Sequence, residues 1–192
     1  NIILEGPDAT GKTTLAEKLR EMTGKDIVHF PSANKEDHLN ALYQGDIIFD
    51  RFHIGEIVYP KIYGREPKLD FDEANEIMRA IVDNNDILII FITSDLNILK
   101  KRLIDRGEYS YLSEIEEQNK LFTQMAWVFD AWEYSNMYII DIASEGAYDR
   151  LDRWLEKKIN SNNINSAYVK VCRDLCEKGE LISGGKTNRG DY

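Results

Sequence analysis

The chain has 192 residues, 43% of them apolar, which suits one packed α/β domain, would crowd two full domains and does not read as a disordered chain overall. Its formal net charge of −10 is the wrong sign for a domain that wraps duplex DNA, so a small substrate is expected and nucleic acid is a poor candidate partner. No run of about 18 apolar residues occurs, and the opening Asn1-Ile2-Ile3-Leu4 lacks the basic front and long apolar core of a secretion signal; a cytoplasmic protein with no membrane partner is expected.

Residues 1–5 read as a short buried strand that runs through a Gly-rich turn into a helix over Lys12 to Met22, with Leu15, Leu19 and Met22 on one face. "DIVHFP" (26–31) is a second strand, 36–43 a short helix, and "DIIFD" (46–50) another buried strand. Residues 52–63 look helical, but Gly55 and Pro60 predict a kink or break. A helix over Phe71 to Asn84 starts with acids, as the helix dipole prefers. "DILIIFI" (86–92) is the most apolar run and reads as a central parallel strand. Asp95 caps the next helix, whose inner face is Leu96, Leu99 and Leu103.

Residues 105–112 break the pattern. A long helix over roughly Glu114 to Tyr134 follows, then a fifth strand, "MYIID" (137–141), and a helix over about 147–159. Strands alternating with helices predict a three-layer α/β/α sandwich around a five-stranded parallel sheet. The domain is complete over 1–160; 161–192 reads as a polar linker, a short amphipathic helix with Tyr168, Val171, Cys172 and Leu175, and an irregular tail. Cys172 and Cys176 lack the further ligands a zinc site needs and read as reduced thiols.

Gly6, Gly11, Lys12 and Thr13 satisfy G-x-x-x-x-G-K-[ST], with the strand before and the helix after that the motif requires. Glycine torsions let successive N–H groups point inward, and the helix N-terminus adds positive potential beneath a phosphate. Gly6, Gly11, Lys12, Thr13 and Thr14 are therefore the candidate ATP site, with Lys12 on the β- and γ-phosphates and the Thr13 hydroxyl on Mg²⁺. GTPases, ATPases, transporters and kinases all share this loop, so other residues must discriminate. "NKED" (34–37) is misplaced for a guanine-reading GTPase motif, and "DILIIFITSD" ends in a lone acid better used as a cap.

In "FDRFHIGEIVYP" (49–60) a strand ends in Asp50, followed at once by Arg51. Strand carboxyl ends face the ligand crevice in such sheets. Asp50 can hold metal-bound water or orient an acceptor, and Arg51 can clamp a second phosphate with its fork. With "GPDATGKTT" (6–14) and Phe30-Pro31, this "DRF" stretch resembles the thymidylate kinases and related deoxynucleoside monophosphate kinases, including phage-encoded ones, over about residues 1–160. The resemblance implies a P-loop kinase fold and ATP- and Mg²⁺-dependent phosphorylation of a dTMP-like monophosphate. It places Asp8 against the acceptor sugar, Phe30 and Phe52 near the acceptor base, and Arg65 on the acceptor. It also implies a homodimer. Ala9-Thr10 depart from the usual loop.

The same family opens its lid with R-x-x-x-R, matched here by Arg102 and Arg106 within a lid of about 102–113. It implies one arginine on adenine and one on the transferred phosphoryl group, where charge develops. Gly107 is a candidate hinge, and Tyr109 and Tyr111 could touch substrate or cover the cleft. The aromatic helix "LFTQMAWVFDAWEY" (121–134) reads mainly as core or dimer packing. Two alternatives stay open. One is a kinase with a hydroxyl acceptor, on a deoxynucleoside or a hydroxymethylpyrimidine in DNA, using Asp8, Asp50 or Glu56 as base; the other is a non-catalytic nucleotide-binding module.

Overall fold

The computed structural model describes residues 1–131 and 134–159. The chain runs β1 (Ile2–Glu5), α1 (Lys12–Thr23), β2 (Asp26–Val28), α2 (Lys35–Leu42), β3 (Ile47–Asp50), α3 (Gly55–Tyr63) and α4 (Phe71–Val82). It continues through β4 (Leu88–Thr93), α5 (Leu96–Asp105), a 3-10 turn (Tyr109–Tyr111), α6 (Ile115–Asp130) and β5 (Met137–Asp141), then a helix over 147–159. The five strands form one parallel sheet in the order β2-β3-β1-β4-β5. Parallel neighbours need crossovers long enough for a helix, so the alternation in the sequence specifies this α/β architecture.

Period-2 alternation divides the strand residues between the two faces. Ile3, Phe49, Ile89 and Phe91 join the core that includes Val58 of α3, Ile77, Met78 and Ile81 of α4, and Phe122 and Phe129 of α6. Ile2, Leu4, Ile48, Ile90 and Ile92 point to the other face and are equally buried. The register sets Leu4 opposite both Asp50 and Ile90, so β1 and β3 end side by side, with Arg51 donating its N–H to the Leu4 carbonyl at 3.1 Å.

Local signals account for most element starts. Asn34 caps α2 by accepting from the Asp37 N–H at 2.9 Å, which gives "NKED" a purely local use. Asp70 and Glu73 form a reciprocal capping box on α4, and Asp95 caps α5. Several expectations are corrected. The segment 52–63 is not broken at Pro60; α3 starts later, at Gly55, because the N–H groups of Phe52 and Ile54 are taken by the Glu5 carboxylate. The second strand stops at Val28, and α6 ends at Asp130. Met22 is 41% exposed; the buried stripe of α1 is Leu15, Ala16 and Leu19.

The chain divides into a unit over Asn1–Leu151 and one over Asp152–Tyr192, of which residues 152–159 are described and helical. The linker, the tail helix, Cys172, Cys176 and Trp132 lie outside the described residues. No helix among the described residues is long and apolar enough to cross a membrane.

Gly6 sits where β1 passes β4. Its φ is +150°, and a Cβ there would lie 2.3 Å from the Ile92 carbonyl oxygen, an approach only glycine permits. Gly6→Ala should lower unfolding stability by more than about 1 kcal/mol in urea melts. Gly45→Ala, where a Cβ meets open space, should stay within about 0.5 kcal/mol of the parent.

Candidate active site

The carboxyl ends of β1 and β3, the mouth of α1 and the start of α3 surround a cavity of about 780 Å³. Asp8, Gly11, Lys12, Thr13 and Thr14 form its phosphate-loop wall; Phe30, Ser32, Phe52, Glu56, Tyr59 and Arg65 form the wall on the β2–β3 side. Arg106 and Tyr111 line it from the lid segment. A crevice at strand carboxyl ends, beside a central strand with neighbours running to both sides, is where open α/β sheets bind ligands.

Gly11 (φ +87°) precedes α1, and the Lys12 ammonium donates to the carbonyls of Gly6 and Pro7, both at 2.7 Å. Burial, and next the Arg51 charge, push the Lys12 ammonium down to about 8. The loop is braced from within and from outside. Thr10 donates its hydroxyl to the Pro7 carbonyl at 2.8 Å, and the buried Gln118 of α6 accepts the Asp8 N–H at 3.0 Å. Arg102 does not line the cavity; its guanidinium donates to the Ala9 carbonyl at 3.1 Å and so props the loop. Arg106, at the end of α5, does line it and pairs with Glu108 at 3.4 Å.

Asp50 accepts the Thr13 hydroxyl on one oxygen at 3.0 Å, while its other oxygen is buried with no partner. A hydroxyl and a carboxylate with an unsatisfied oxygen are the hard oxygen donors Mg²⁺ takes, so these two residues fit that ion. Arg51 has φ +72°, a left-handed conformation that turns its guanidinium from the end of β3 to the phosphate loop, where it pairs with the Asp8 carboxylate. The guanidinium also lies 4.7 Å over the Tyr59 ring. Burial, then the nearby Asp8 charge, raise the Tyr59 hydroxyl well above its ordinary value, so it remains a protonated donor facing Asp8 at 3.4 Å.

On the β2–β3 side, Phe30 packs against Phe52 with ring centroids 4.9 Å apart, and both line the cavity. Arg65 reaches back to Glu56 and Ser32 at 3.0 to 3.3 Å. The structure thus gathers Asp8, Lys12, Thr13, Thr14, Phe30, Asp50, Arg51, Phe52, Arg65, Arg106 and Tyr111 around one cavity; Gly6 and Arg102 support the loop from behind. Sequence reasoning missed Ser32, Tyr59, Gln118 and Glu5. The only signal for Glu5 was a charge ending an otherwise apolar strand. His53, within the same motif, is not a site residue: it is buried, and burial first, then His38, push it down to about 3.

No protein-family model matches the chain. The SPbeta prophage-derived uncharacterized protein YorR of Bacillus subtilis (strain 168) is 28% identical over 137 residues, covering 65% of this chain and 80% of that protein. The adenylate kinase isoenzyme 6 homolog of Schizosaccharomyces pombe is 26% identical over 167 residues, covering 81% of this chain and 91% of the relative. Among solved structures, YorR in complex with phosphorylated GDP superimposes with a TM-score of 0.63 at 24% identity, over 83% of this chain and 97% of that one. Deoxyadenosine kinase from M. mycoides with bound dATP gives a TM-score of 0.53 at 15% identity, over 81% and 98% of the two chains. The fold is therefore the P-loop kinase fold.

Glu5 lies wholly buried beneath this site, one oxygen accepting the N–H groups of Phe52 and Ile54, both at 3.0 Å, and the other unpartnered. Burial outweighs those bonds and raises its carboxyl from 4.5 to about 7. The unfolded chain releases this proton near pH 4.5 and the folded chain only near pH 7, so the contribution to stability is full below pH 4.5 and lost by pH 7. Stability of the parent relative to Glu5→Gln should fall by roughly 3 kcal/mol between about pH 4 and pH 8 in urea melts. A flat difference would rule this out.

Proposed function

We propose that the protein transfers the γ-phosphoryl group of ATP to the phosphate of a deoxynucleoside monophosphate. The observation that carries this is the arginine of the β3 turn, held at a positive φ over the phosphate loop within a cavity that continues past the loop to an aromatic wall. A simple ATPase needs room for water; this cavity has room for a second nucleotide on the side away from β4 and β5. The fold shared with deoxyadenosine kinase, whose acceptor is a nucleoside, and the likeness to an adenylate kinase isoenzyme homolog support phosphoryl transfer to a nucleoside or nucleotide.

In this proposal an acceptor phosphate oxygen attacks the γ-phosphorus, the bond from γ-phosphorus to the β–γ bridging oxygen breaks, and its electron pair leaves with ADP. The acceptor is already anionic, so no general base is required. Lys12 and the loop N–H groups hold the β- and γ-phosphates, and Arg51 clamps the acceptor phosphate. Arg106 meets charge that develops in the transition state, and Arg102 keeps the loop in shape. Thr13 and Asp50 would hold Mg²⁺, which would supply neutralisation of the phosphate charge. Asp8 and Tyr59 face the acceptor sugar. A second reading, transfer to a nucleoside hydroxyl, draws on the unpartnered Asp50 oxygen, which could accept that proton.

The test is ADP release with ATP and Mg²⁺ against a panel of deoxynucleoside monophosphates and deoxynucleosides. Turnover on a monophosphate is expected, with Lys12→Ala at least about a hundredfold slower. Arg51→Ala should raise the acceptor KM far more than the ATP KM. Turnover on nucleosides alone would overturn the phosphate acceptor in favour of the hydroxyl, and silence across the panel would overturn both.

A further inference from the structure

The aromatic wall of the active-site cavity has a second cavity behind it. This one, of about 490 Å³, lies between α2 and the β2–β3 end of the sheet. Val28, Ala41 and Phe49 belong to its apolar lining, and the exposed Asp37, Asn40 and Gln44 stand along its rim. Phe30, Pro31 and Ser32 line both cavities. The segment that follows β2 is therefore a partition, and Phe30 supplies its ring. The centroid of that ring lies 4.9 Å from the ring of Phe52, which lines the active-site cavity. It lies 5.6 Å from the ring of Phe49, which lines the second one. The buried His38 of α2 packs on it at 4.7 Å. The pairing of β2 with β3 ends at Val28 opposite Phe49, and Ser32 ties the following segment to Glu56 and Arg65. Side-chain packing, rather than the sheet ladder, thus closes the active-site cavity on this side.

Size is what such a wall reads. An aromatic ring offers a flat ligand contact area but no code of donors and acceptors, so it does not tell one base from another by their edges. It does set how far a ligand extends. A group that would overlap the Phe30 ring is excluded, although room for it exists on the other side. In an apolar pocket one methylene too many is worth roughly tenfold to a hundredfold in discrimination, and a phenyl group is far larger. Shortening Phe30 to alanine removes the ring and joins the two cavities. The second cavity would then receive an apolar substituent, whose transfer out of water is favourable.

We propose that Phe30 is a specificity-determining residue that fixes the length of the acceptor site, and that the cavity behind it is a closed-off extension of that site able to take a flat apolar group. The proposal rests on the nucleotide-acceptor reading above and assigns no base. Acceptors whose base carries a bulky apolar substituent are rejected, and shortening Phe30 admits them.

The experiment compares the natural deoxynucleoside monophosphates with substituted relatives. These carry a benzyl group on the exocyclic amine of dAMP, dGMP or dCMP, or a phenyl group in place of the dTMP methyl. Binding is measured by calorimetry without ATP, and turnover with ATP and Mg²⁺ in parallel. The parent should bind its best natural acceptor at least about tenfold more tightly than the substituted relative. Phe30→Ala should abolish or invert that ratio. Phe30→Leu, which keeps more of the packing, should shift it part of the way. Adding Ala41→Leu to Phe30→Ala puts a side chain into the second cavity and should restore the rejection. Ala41→Leu alone should leave the parent ratio unchanged. A ratio unmoved by both Phe30 variants, with folding checked by circular dichroism, overturns the proposal. A ratio that moves and is not restored by Ala41→Leu overturns it too, because the substituent then goes elsewhere. Equal binding of natural and substituted acceptors by the parent has the same consequence. The expected shifts in binding with no turnover on any acceptor sustain the partition and overturn phosphate transfer. No binding of any monophosphate overturns both.

Discussion

A buried carboxylate holds the two halves of the site together. Glu5 ends β1 beneath the phosphate loop and accepts the N–H groups of Phe52 and Ile54 in the turn that leaves β3. The Arg51 N–H bonds the Leu4 carbonyl on the same strand end. Two loops, distant in sequence, are therefore fixed on adjacent strands, and the guanidinium of Arg51 meets the loop that carries Lys12. The arrangement is costly: a wholly buried acid with one unpartnered oxygen, an arginine in a left-handed conformation, and a lysine driven down to about 8. Such conflicts with ordinary folding rules collect where function needs them.

The chain is acidic as a whole, yet the cavity gathers Lys12, Arg51, Arg65 and Arg106. Asp8, Asp50 and Glu56 stand among them, so the cations are partnered rather than bare. In the proposed transfer an incoming phosphate competes with Asp8 for Arg51, whose fork suits phosphate as well as carboxylate. The division of labour follows the strand order. Residues after β1 line the phosphate-loop side of the cavity, and residues after β2 and β3 line the facing side.

Much of this was legible beforehand because it depends on local rules. The glycines and Lys12-Thr13 of the phosphate loop, the caps at Asn34, Asp70 and Asp95, and the apolar run of β4 each act over a few residues, and periodicity places them. The Asp50–Arg51 step was legible because a charged pair ending a buried strand is anomalous. Spacing put Arg102 and Arg106 on one helical face and the family resemblance implied nucleotide roles for them; in the structure the Arg102 guanidinium donates to the Ala9 carbonyl, a contact set by packing. Glu56 was visible only as an acid near the right place; its partners Ser32 and Arg65 lie 24 and 9 residues away.

The sequence by itself determined the element order, the parallel α/β class and the phosphate loop, because hydrophobic period, turn chemistry and helix capping are short-range properties. The tertiary structure decided what those elements mean together. Only the strand order brings β1 and β3 side by side, and only then does Glu5 become a tie between two loops. The same packing turns Gln118 of α6 into a brace for the phosphate loop and joins Ser32, Glu56 and Arg65 in one wall. These are hydrogen bonds between distant segments, whose partners are chosen by the packing of the whole sheet and its helices.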